Sequence, residues 1–134
     1  MAPNGKLYGV PFNSNGVLIV DPSAGSADTT TLDGLTGNGK WSGGVLAPNG
    51  KIYGIPFDSQ AVLIINPVAS SMDVTTLDGL SGSSKWRGGV LAPSGKIYGV
   101  PYNAVSVLVV DPAQGSVDTS SVGHPRSLGS AQGM

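Results

Sequence analysis

The sequence predicts an all-β protein made of one unit that repeats every 45 residues. The segment that begins at Ala2 returns from Ala47 and again from Ala92, with no insertion between copies. Runs of Val, Ile, Thr and Tyr alternate with Gly, Pro, Asn and Asp, as in short strands joined by tight turns. The chain has 21 Gly and 10 Pro in 134 residues, and interior Gly costs a helix about 1 kcal/mol and Pro about 3. A period of about 40 to 50 residues with several strands per unit is typical of a β-propeller blade.

The first half of the second unit predicts two strands and the turn between them. Residues 41–46 contain a Gly pair, which permits close backbone approach, so this strand is expected to be the innermost one. Residues 48–51 form a tight turn, because Pro suits its second position and Gly supplies a positive φ. Residues 52–57 are the second strand.

The second half of the same unit predicts two further strands. Residues 62–65 are continuously apolar, so we expect a strand buried on both faces and the most buried segment of the unit. Pro67 ends that strand because it has no N–H to donate. Residues 73–77 are Thr-rich and predict a half-solvated outer strand, after which residues 78–84 return the chain to the centre. Each complete unit is therefore predicted to be a four-stranded antiparallel blade.

The unit resembles two known kinds of propeller blade. The Gly43-Gly44 strand, the turn Asn49-Gly50-Lys51-Ile52-Tyr53 and the following apolar strand resemble kelch-type blades, although Pro56-Phe57 stands where kelch has a second Gly pair. The stretch from Trp41 to Gly54 is also similar to lectin propellers of the tachylectin-2 type. The second resemblance implies carbohydrate binding.

The repeats assign residues 1–122 to a three-repeat propeller fragment and leave a divergent tail. The ranges are 2–46, 47–91 and 92–122 for the repeats and 123–134 for the tail. Met1 stands where Leu46 stands in the next copy, so the first unit lacks its inner strand and eleven strands are expected.

Three blades are fewer than the roughly four to eight of a closed propeller. We therefore expect the chain to associate with itself, most simply as a homodimer that forms a six-bladed ring. The tail around residues 127–133 is expected to supply the missing inner strand to a neighbouring chain. The alternative is that the chain is a truncated piece of a larger propeller.

Composition argues against several partners. The net charge is −1 and only 11% of residues are charged, so nucleic acid and anionic membranes, which need a basic face, are not expected as partners. No apolar run approaches the roughly 20 residues of a membrane span. No signal peptide is recognised, and the expected location is cytoplasmic by default.

No catalytic, metal or cofactor site is expected. The chain has no Cys, which removes thiolate chemistry and Cys-type zinc sites. The single histidine, His124, has no partner at a useful spacing. The repeated Asp28, Asp73 and Asp118 stand beside turns, where Asp side chains cap backbone amides. The protein is therefore not expected to be an enzyme.

One loop face carries the candidate ligand-binding residues. In a propeller, the loop between the second and third strands opens on the same face as the loop that enters the next blade. The residues in these loops are Asn13, Lys40, Trp41, Asp58, Lys85, Trp86, Arg87 and Asn103. Trp beside polar amides suits sugar recognition, because an aromatic ring covers an apolar sugar face while amides make oriented hydrogen bonds. The alternative is that Trp41 and Trp86 pack in the core between blades.

Two functions follow from this sequence. The first is a noncatalytic binding module, for a glycan or a protein ligand, with one weak site per blade and affinity raised by multivalency. The second is a structural or protein-interaction scaffold with no small-molecule ligand.

Overall fold

The computed structural model describes residues 1–120 and contains eleven strands in three antiparallel sheets. The first sheet has three strands and the other two have four each. The strands are β1 (Leu7–Gly9), β2 (Leu18–Asp21), β3 (Ser26–Asp28), β4 (Trp41–Leu46), β5 (Ile52–Pro56), β6 (Leu63–Asn66), β7 (Ser71–Asp73), β8 (Trp86–Leu91), β9 (Ile97–Pro101), β10 (Leu108–Asp111) and β11 (Ser116–Asp118).

Strand order follows chain order in every sheet. The second sheet is β4-β5-β6-β7, the third is β8-β9-β10-β11, and the first, β1-β2-β3, has no counterpart of β4 among residues 1–120. The two complete sheets share one register, since Trp41 pairs with Pro56 and Trp86 with Pro101. These strands confirm the predicted all-β class, and residues 1–120 contain the eleven strands that were expected there.

Neighbouring sheets interlock through a branched side chain that lies against two glycines. A Cβ placed on Gly44 would lie 2.5 Å from Val10 Cγ2, and one placed on Gly54 would lie 3.0 Å from Val10 Cγ1. Ile55 has the same relation to the third sheet, at 2.9 Å from a Cβ on Gly89 and 3.4 Å from one on Gly99. The glycines leave the space that Val10 and Ile55 fill.

The first strands of the second and third sheets lie against each other at a pair of glycine bulges. The β4–β5 register shifts between Trp41 and Gly44, and Gly43 within this bulge has a φ of 86°. Gly88 stands at the same place in β8, with a φ of 72°. A Cβ on Gly43 would lie 3.2 Å from Gly88 Cα, so only glycine allows these backbones to approach so closely. The inner strands approach most closely, because β8 is in extensive contact with β4 and also contacts β5, whereas β7 and β11 are not in extensive contact.

Two hydrophobic clusters fill the spaces between the sheets. Between the first and second sheets, Val17 and Ile19 face Ile52, Leu63 and Ile65. Between the second and third sheets the corresponding cluster includes Val45, Tyr53, Ile55, Val62, Ile97, Leu108 and Val110. Both faces of the second sheet therefore pack in a hydrophobic core. Equivalent residues of successive repeats form similar packing at the two junctions.

The outer strand differs from its predicted position. It spans Ser71–Asp73 rather than residues 73–77. The chain turns after Asp73 because the Asp73 carboxylate accepts hydrogen bonds from the backbone N–H of Thr75, at 2.7 Å, and of Thr76, at 3.1 Å. The Thr76 hydroxyl also donates to this carboxylate. The Thr residues that suggested a strand instead complete a capping turn.

The most buried strand is β5 rather than the segment 62–65. All five residues of β5 are buried, whereas Ile64 in β6 is only half-buried. Leu63 and Ile65 pack between the first and second sheets, but Ile64 faces an outer cleft bordered by Pro112 and Gly115 of the next repeat. The third strand is thus packed on both faces as expected, although one face is incompletely covered.

The segments that begin at residue 121 lie outside the described part of the chain. They include His124, the tail 123–134 and the expected strand donor around residues 127–133. Within residues 1–120, no helix is long and apolar enough to cross a membrane.

We expect Gly44→Ala to destabilise the protein by about 1–3 kcal/mol, because the added methyl would lie 2.5 Å from Val10 Cγ2 and Val10 would have to shift. Urea denaturation monitored by tryptophan fluorescence measures this loss. Val10→Ala is the matched partner substitution, and the double variant should lose less stability than the sum of the single losses. Additive losses would show that Val10 and Gly44 do not share one space.

We expect the acid side of the stability profile to depend on Asp73. Hydrogen bonds from Thr76 and Thr75 lower the pKa of Asp73 to about 2 from its ordinary 3.8. A carboxyl with a lowered folded-state pKa stabilises the fold above its unfolded pKa and loses that contribution as the pH falls through the folded one. The advantage of the wild type over Asp73→Asn should therefore shrink between pH 4 and pH 2, as measured by denaturation at each pH. An advantage that stays constant over this range would contradict the assignment.

Candidate functional site

The loops that enter the second and third sheets are held by the backbone of one lysine each. Lys40 N donates to Phe12 O of the preceding repeat at 2.8 Å, while Lys40 O accepts from Phe57 N of its own repeat at 2.9 Å. Lys85 repeats the pattern, donating to Phe57 O at 2.9 Å and accepting from Tyr102 N at 2.8 Å. These bonds join each sheet to the next at the predicted loop face.

Asn13 and Asp58 serve the same loops with their side chains. Asn13 Oδ1 accepts a hydrogen bond from Gly39 N at 2.8 Å, and Asp58 Oδ1 accepts one from Ser84 N at 2.7 Å. The acceptor lies 26 residues before the donor in both cases. Gly39 and Ser84 both have a positive φ, 60° and 50° respectively, and a left-handed Ser is strained. Two of the predicted ligand-binding side chains therefore hold the connecting loop in place.

The ammonium groups of Lys40 and Lys85 also bind backbone carbonyls. Lys40 Nζ donates to Gly37 O at 2.6 Å, and Lys85 Nζ donates to Gly82 O at 2.8 Å and to Phe57 O at 3.2 Å. Both lysines are buried. Desolvation lowers the pKa of each ammonium, and the nearby Asp58 carboxylate partly opposes this shift at Lys85. Their ammonium groups are thus occupied within the fold.

Trp41 and Trp86 lie in the cores between sheets, as the alternative interpretation of these residues expected. Both indoles are buried. Trp41 Nε1 donates to Ala61 O at 2.7 Å and Trp86 Nε1 donates to Ser106 O at 2.8 Å. The ring therefore fixes the loop between the second and third strands of its own sheet. Neither indole presents an exposed face on which a sugar ring could stack.

Two clefts open beside these tryptophans and correspond position by position at the repeat interval. One has a volume of about 590 Å³ and the other about 300 Å³. The larger cleft includes Asn38, Lys40, Trp41, Asp58 and Gln60 in its lining. The smaller cleft includes Ser83, Lys85, Trp86, Asn103 and Val105. The structure therefore brings six of the eight predicted residues to two equivalent clefts.

The clefts offer polar side chains that the fold does not use. Asn38, Gln60 and Asn103 are exposed and make no side-chain hydrogen bond with any residue in the range 1–120. These amides can donate and accept, which suits a polar ligand. Equivalent clefts also recur on the outer rim, where Lys6 and Lys51 occupy corresponding positions. Recurrence alone therefore follows from the repeat, and the free amides distinguish the loop-face clefts.

Arg87 lies apart from both clefts, within a column of aromatic rings that the sequence analysis did not identify. The Phe12 and Phe57 centroids are 5.6 Å apart, and those of Phe57 and Tyr102 are 5.7 Å apart. The Arg87 guanidinium lies 4.8 Å from the Tyr102 centroid and 5.6 Å from that of Phe57, within cation–π range. The sequence contains a pattern that predicts this column, because an aromatic residue follows Pro11, Pro56 and Pro101, one in each repeat. Asn13 is likewise outside both clefts.

The part of the chain that the structure describes holds no group of three or more His, Cys, Asp or Glu side chains placed to bind a metal ion. The acidic residues at the ends of the outer strands are occupied by turns. Asp28 accepts hydrogen bonds from Thr30 and Thr31, which lower the pKa of its carboxyl well below the usual range.

Comparison with known proteins identifies a shared fold but no family. No protein-family model matches the chain, and no curated protein matches it significantly. Hydrazine Synthase from Kuenenia stuttgartiensis superposes with a TM-score of 0.65 at 15% identity, over 94% of this chain and 36% of that one. An auxiliary nutrient binding protein from Bacteroides ovatus superposes with a TM-score of 0.63 at 14% identity, over 92% of this chain and 31% of that one. This chain thus spans about a third of each solved chain, and the similarity shows the fold alone.

We expect Asp58→Ala to destabilise the protein by about 0.5–1.5 kcal/mol, the usual net contribution of one hydrogen bond. The substitution leaves Ser84 N without its acceptor while Ser84 keeps a strained φ. Asp58→Asn is the matched control, because Asn13 accepts the equivalent bond with an amide oxygen. Chemical denaturation of the three proteins should place Asp58→Asn close to the wild type. Equal losses in both variants would contradict a role based on this hydrogen bond.

Proposed function

We propose that this chain is an arc of a β-propeller that acts as a noncatalytic binding module, with one ligand site in each loop-face cleft. The arrangement of the sheets supports the propeller. Successive sheets pack face to face, the first strands of the second and third sheets meet at Gly43 and Gly88, and the outer strands of these two sheets are not in extensive contact. Sheets that converge at one end and separate at the other are arranged radially, as blades are.

The correspondence of the two clefts carries the binding proposal. Each is bounded by the glycine-rich loop that enters a sheet and by the loop between that sheet's second and third strands. The lysine and tryptophan at the cleft wall are fixed by hydrogen bonds to backbone carbonyls. Rigid walls reduce the conformational entropy lost on binding. The free amides of Gln60 in one cleft and Asn103 in the other then supply the polar contacts.

A carbohydrate is the ligand class that these clefts suit best. Their lining combines amide, hydroxyl and backbone groups with apolar surface, and a sugar offers apolar C–H faces and many hydroxyl groups that both donate and accept. The tryptophans contribute to the rigidity of the clefts rather than to stacking, because their rings are buried. Each site alone is expected to be weak, and two or more sites on one particle raise the apparent affinity for a multivalent glycan.

The second candidate function, a protein-interaction scaffold, is favoured by the apolar sheet faces at the two ends of the arc. Val90 and Val100 are exposed on the third sheet, and Leu7 and Leu18 on the first. A scaffold would use these faces and leave the clefts empty. The two functions therefore predict different sensitive residues.

A glycan array probed with wild-type and variant protein tests the binding function. We expect the wild type to retain a defined set of glycans, and the double variant Gln60→Ala with Asn103→Ala to lose at least about tenfold in apparent affinity for them, since both sites are weakened and avidity falls. Gln60→Ala alone should leave thermal stability unchanged, because Gln60 makes no side-chain hydrogen bond within residues 1–120. Asn103 stands where Asn13 and Asp58 hold the next loop, so circular dichroism of the double variant checks that it is folded. Val68→Ala, an exposed position in the turn after β6, is the control and should bind as the wild type does.

Two results would count against the binding proposal. One is an array that retains no glycan above background. The other is a double variant that binds with wild-type affinity, which would place the ligand elsewhere on the molecule.

A further inference from the structure

The first and third sheets each have one face that does not pack on another sheet within residues 1–120. Each of these free faces has one side of the contact that joins adjacent sheets inside the chain. Val10 fills the space over Gly54, and Ile55 fills the space over Gly99. The next branched residue in this series is Val100, and the preceding glycine is Gly9. The three atoms nearest to a Cβ placed on Gly9 all belong to Leu18 of its own sheet. Among residues 1–120, Val100 therefore lies over no glycine, and no branched side chain of another sheet is among the atoms nearest to Gly9.

The exposure of the free face on the third sheet shows how much of it lacks a cover. Ile55 is 0% exposed under the third sheet, whereas its equivalent Val100 is 52% exposed. Val45 is 9% exposed, whereas its equivalent Val90 is 62% exposed. Both members of each pair are β-branched aliphatic residues, so the difference in exposure follows from the neighbouring sheet that the third sheet lacks among residues 1–120.

The free face of the first sheet is also more exposed than the equivalent faces of the other sheets. Leu63 is 0% exposed against the first sheet, whereas its equivalent Leu18 is 41% exposed. Ile52 is 7% exposed and its equivalent Leu7 is 40% exposed. This face presents the surface that the second and third sheets each use to cover the sheet before them.

We propose that the free face of the third sheet binds the free face of the first sheet on a second copy of this chain, head to tail. In this contact Val100 lies over Gly9 of the second copy, and Val90 packs against the same face. The occupant is a second copy because the chain already contains this kind of interface twice, and the proposed contact repeats it apart from the inner strand that the first sheet lacks. An unrelated partner would have to reproduce the same surface. The proposal does not depend on ligand binding in the clefts.

The aromatic column supports the same head-to-tail arrangement of two copies. It runs from Phe12 through Phe57 to Tyr102 at nearly constant spacing. The buried middle ring has an aromatic neighbour on each side, whereas Phe12 and Tyr102 are exposed and have a neighbour on one side only. A head-to-tail contact places Tyr102 of one copy next to Phe12 of the following copy and continues the column.

A head-to-tail contact uses two different surfaces, so it either closes into a ring or continues as a filament. Two copies supply six units, which lies within the range of about four to eight blades found in closed propellers. A closed pair would leave neither free face exposed to water.

Complementation between two variants tests the contact. Val100→Asp blocks the third-sheet face and Leu18→Asp blocks the first-sheet face, and both positions are exposed in the single chain. The full-length wild type is expected to form a species of at least twice 13.4 kDa in light scattering. Each variant alone should be a monomer, because every contact would contain one blocked face. An equimolar mixture should regain a dimer, because the Val100→Asp chain keeps its first-sheet face and the Leu18→Asp chain keeps its third-sheet face.

Several measurements keep this test decisive. Val68→Asp, which places a charge on an exposed apolar residue away from both faces, should assemble as the wild type does. Circular dichroism confirms that the variants are folded, and Val90→Asp with Leu7→Asp is a second pair if one of the first pair does not fold. A monomeric wild type, assembly of either variant alone, or a mixture that stays monomeric would each overturn the proposal. A contact between two third-sheet faces would give the second of these results.

Discussion

The packing of one branched side chain onto the glycines of the next sheet is the contact on which the rest of this structure depends. Val10 and Ile55 occupy equivalent positions, and the glycines beneath them have no Cβ to fill the same space. Because this contact sets the spacing and direction of adjacent sheets, it also places the connecting loops above the junction. The hydrophobic clusters and the loop hydrogen bonds then form around a geometry that the glycines permit.

The polar residues at each junction illustrate a division between support and recognition. Lys40, Lys85, Asn13 and Asp58 all bind backbone groups of the connecting loop, and their burial or orientation follows from that task. Such bonds are strong in a partly desolvated setting, because an unpaired buried ammonium or amide is costly. Under the proposed function, recognition would fall to side chains that make no hydrogen bond within residues 1–120, such as Asn38 and Gln60. A ligand site on this scaffold can therefore change without loss of the fold.

Much of the fold could be predicted from the sequence because the repeat interval and the strand pattern agree. The Gly pair in β4, the Pro-containing turns and the apolar run of β6 each indicate an element that the structure contains. The outer strand is predicted at residues 73–77 but spans Ser71–Asp73. Thr75 and Thr76 favour strands by residue type, but here they complete the turn around Asp73. A local pattern does not distinguish these two uses of Thr.

The candidate site could be predicted only in part. Loop membership identified which residues gather at the clefts, but it left both the site and the core interpretations of the two indoles open and did not indicate that Asp58 binds Ser84 N. Those outcomes depend on the sheet-to-sheet distance, which no single strand encodes. The column of Phe12, Phe57 and Tyr102 was missed for the same reason, since rings 45 residues apart become neighbours only when the sheets stack.

The equivalence of the sheet junctions has a consequence for how such a gene can change length. A duplication of one whole 45-residue segment would place a new unit between two existing ones, with the same side chains on both new boundaries. The insertion would need no compensating substitution, because Val10 and Ile55 already fit the same kind of glycine surface. Unequal recombination between copies is thus compatible with a folded product at every step, and unit number can vary by whole units while the sequence of each unit is kept.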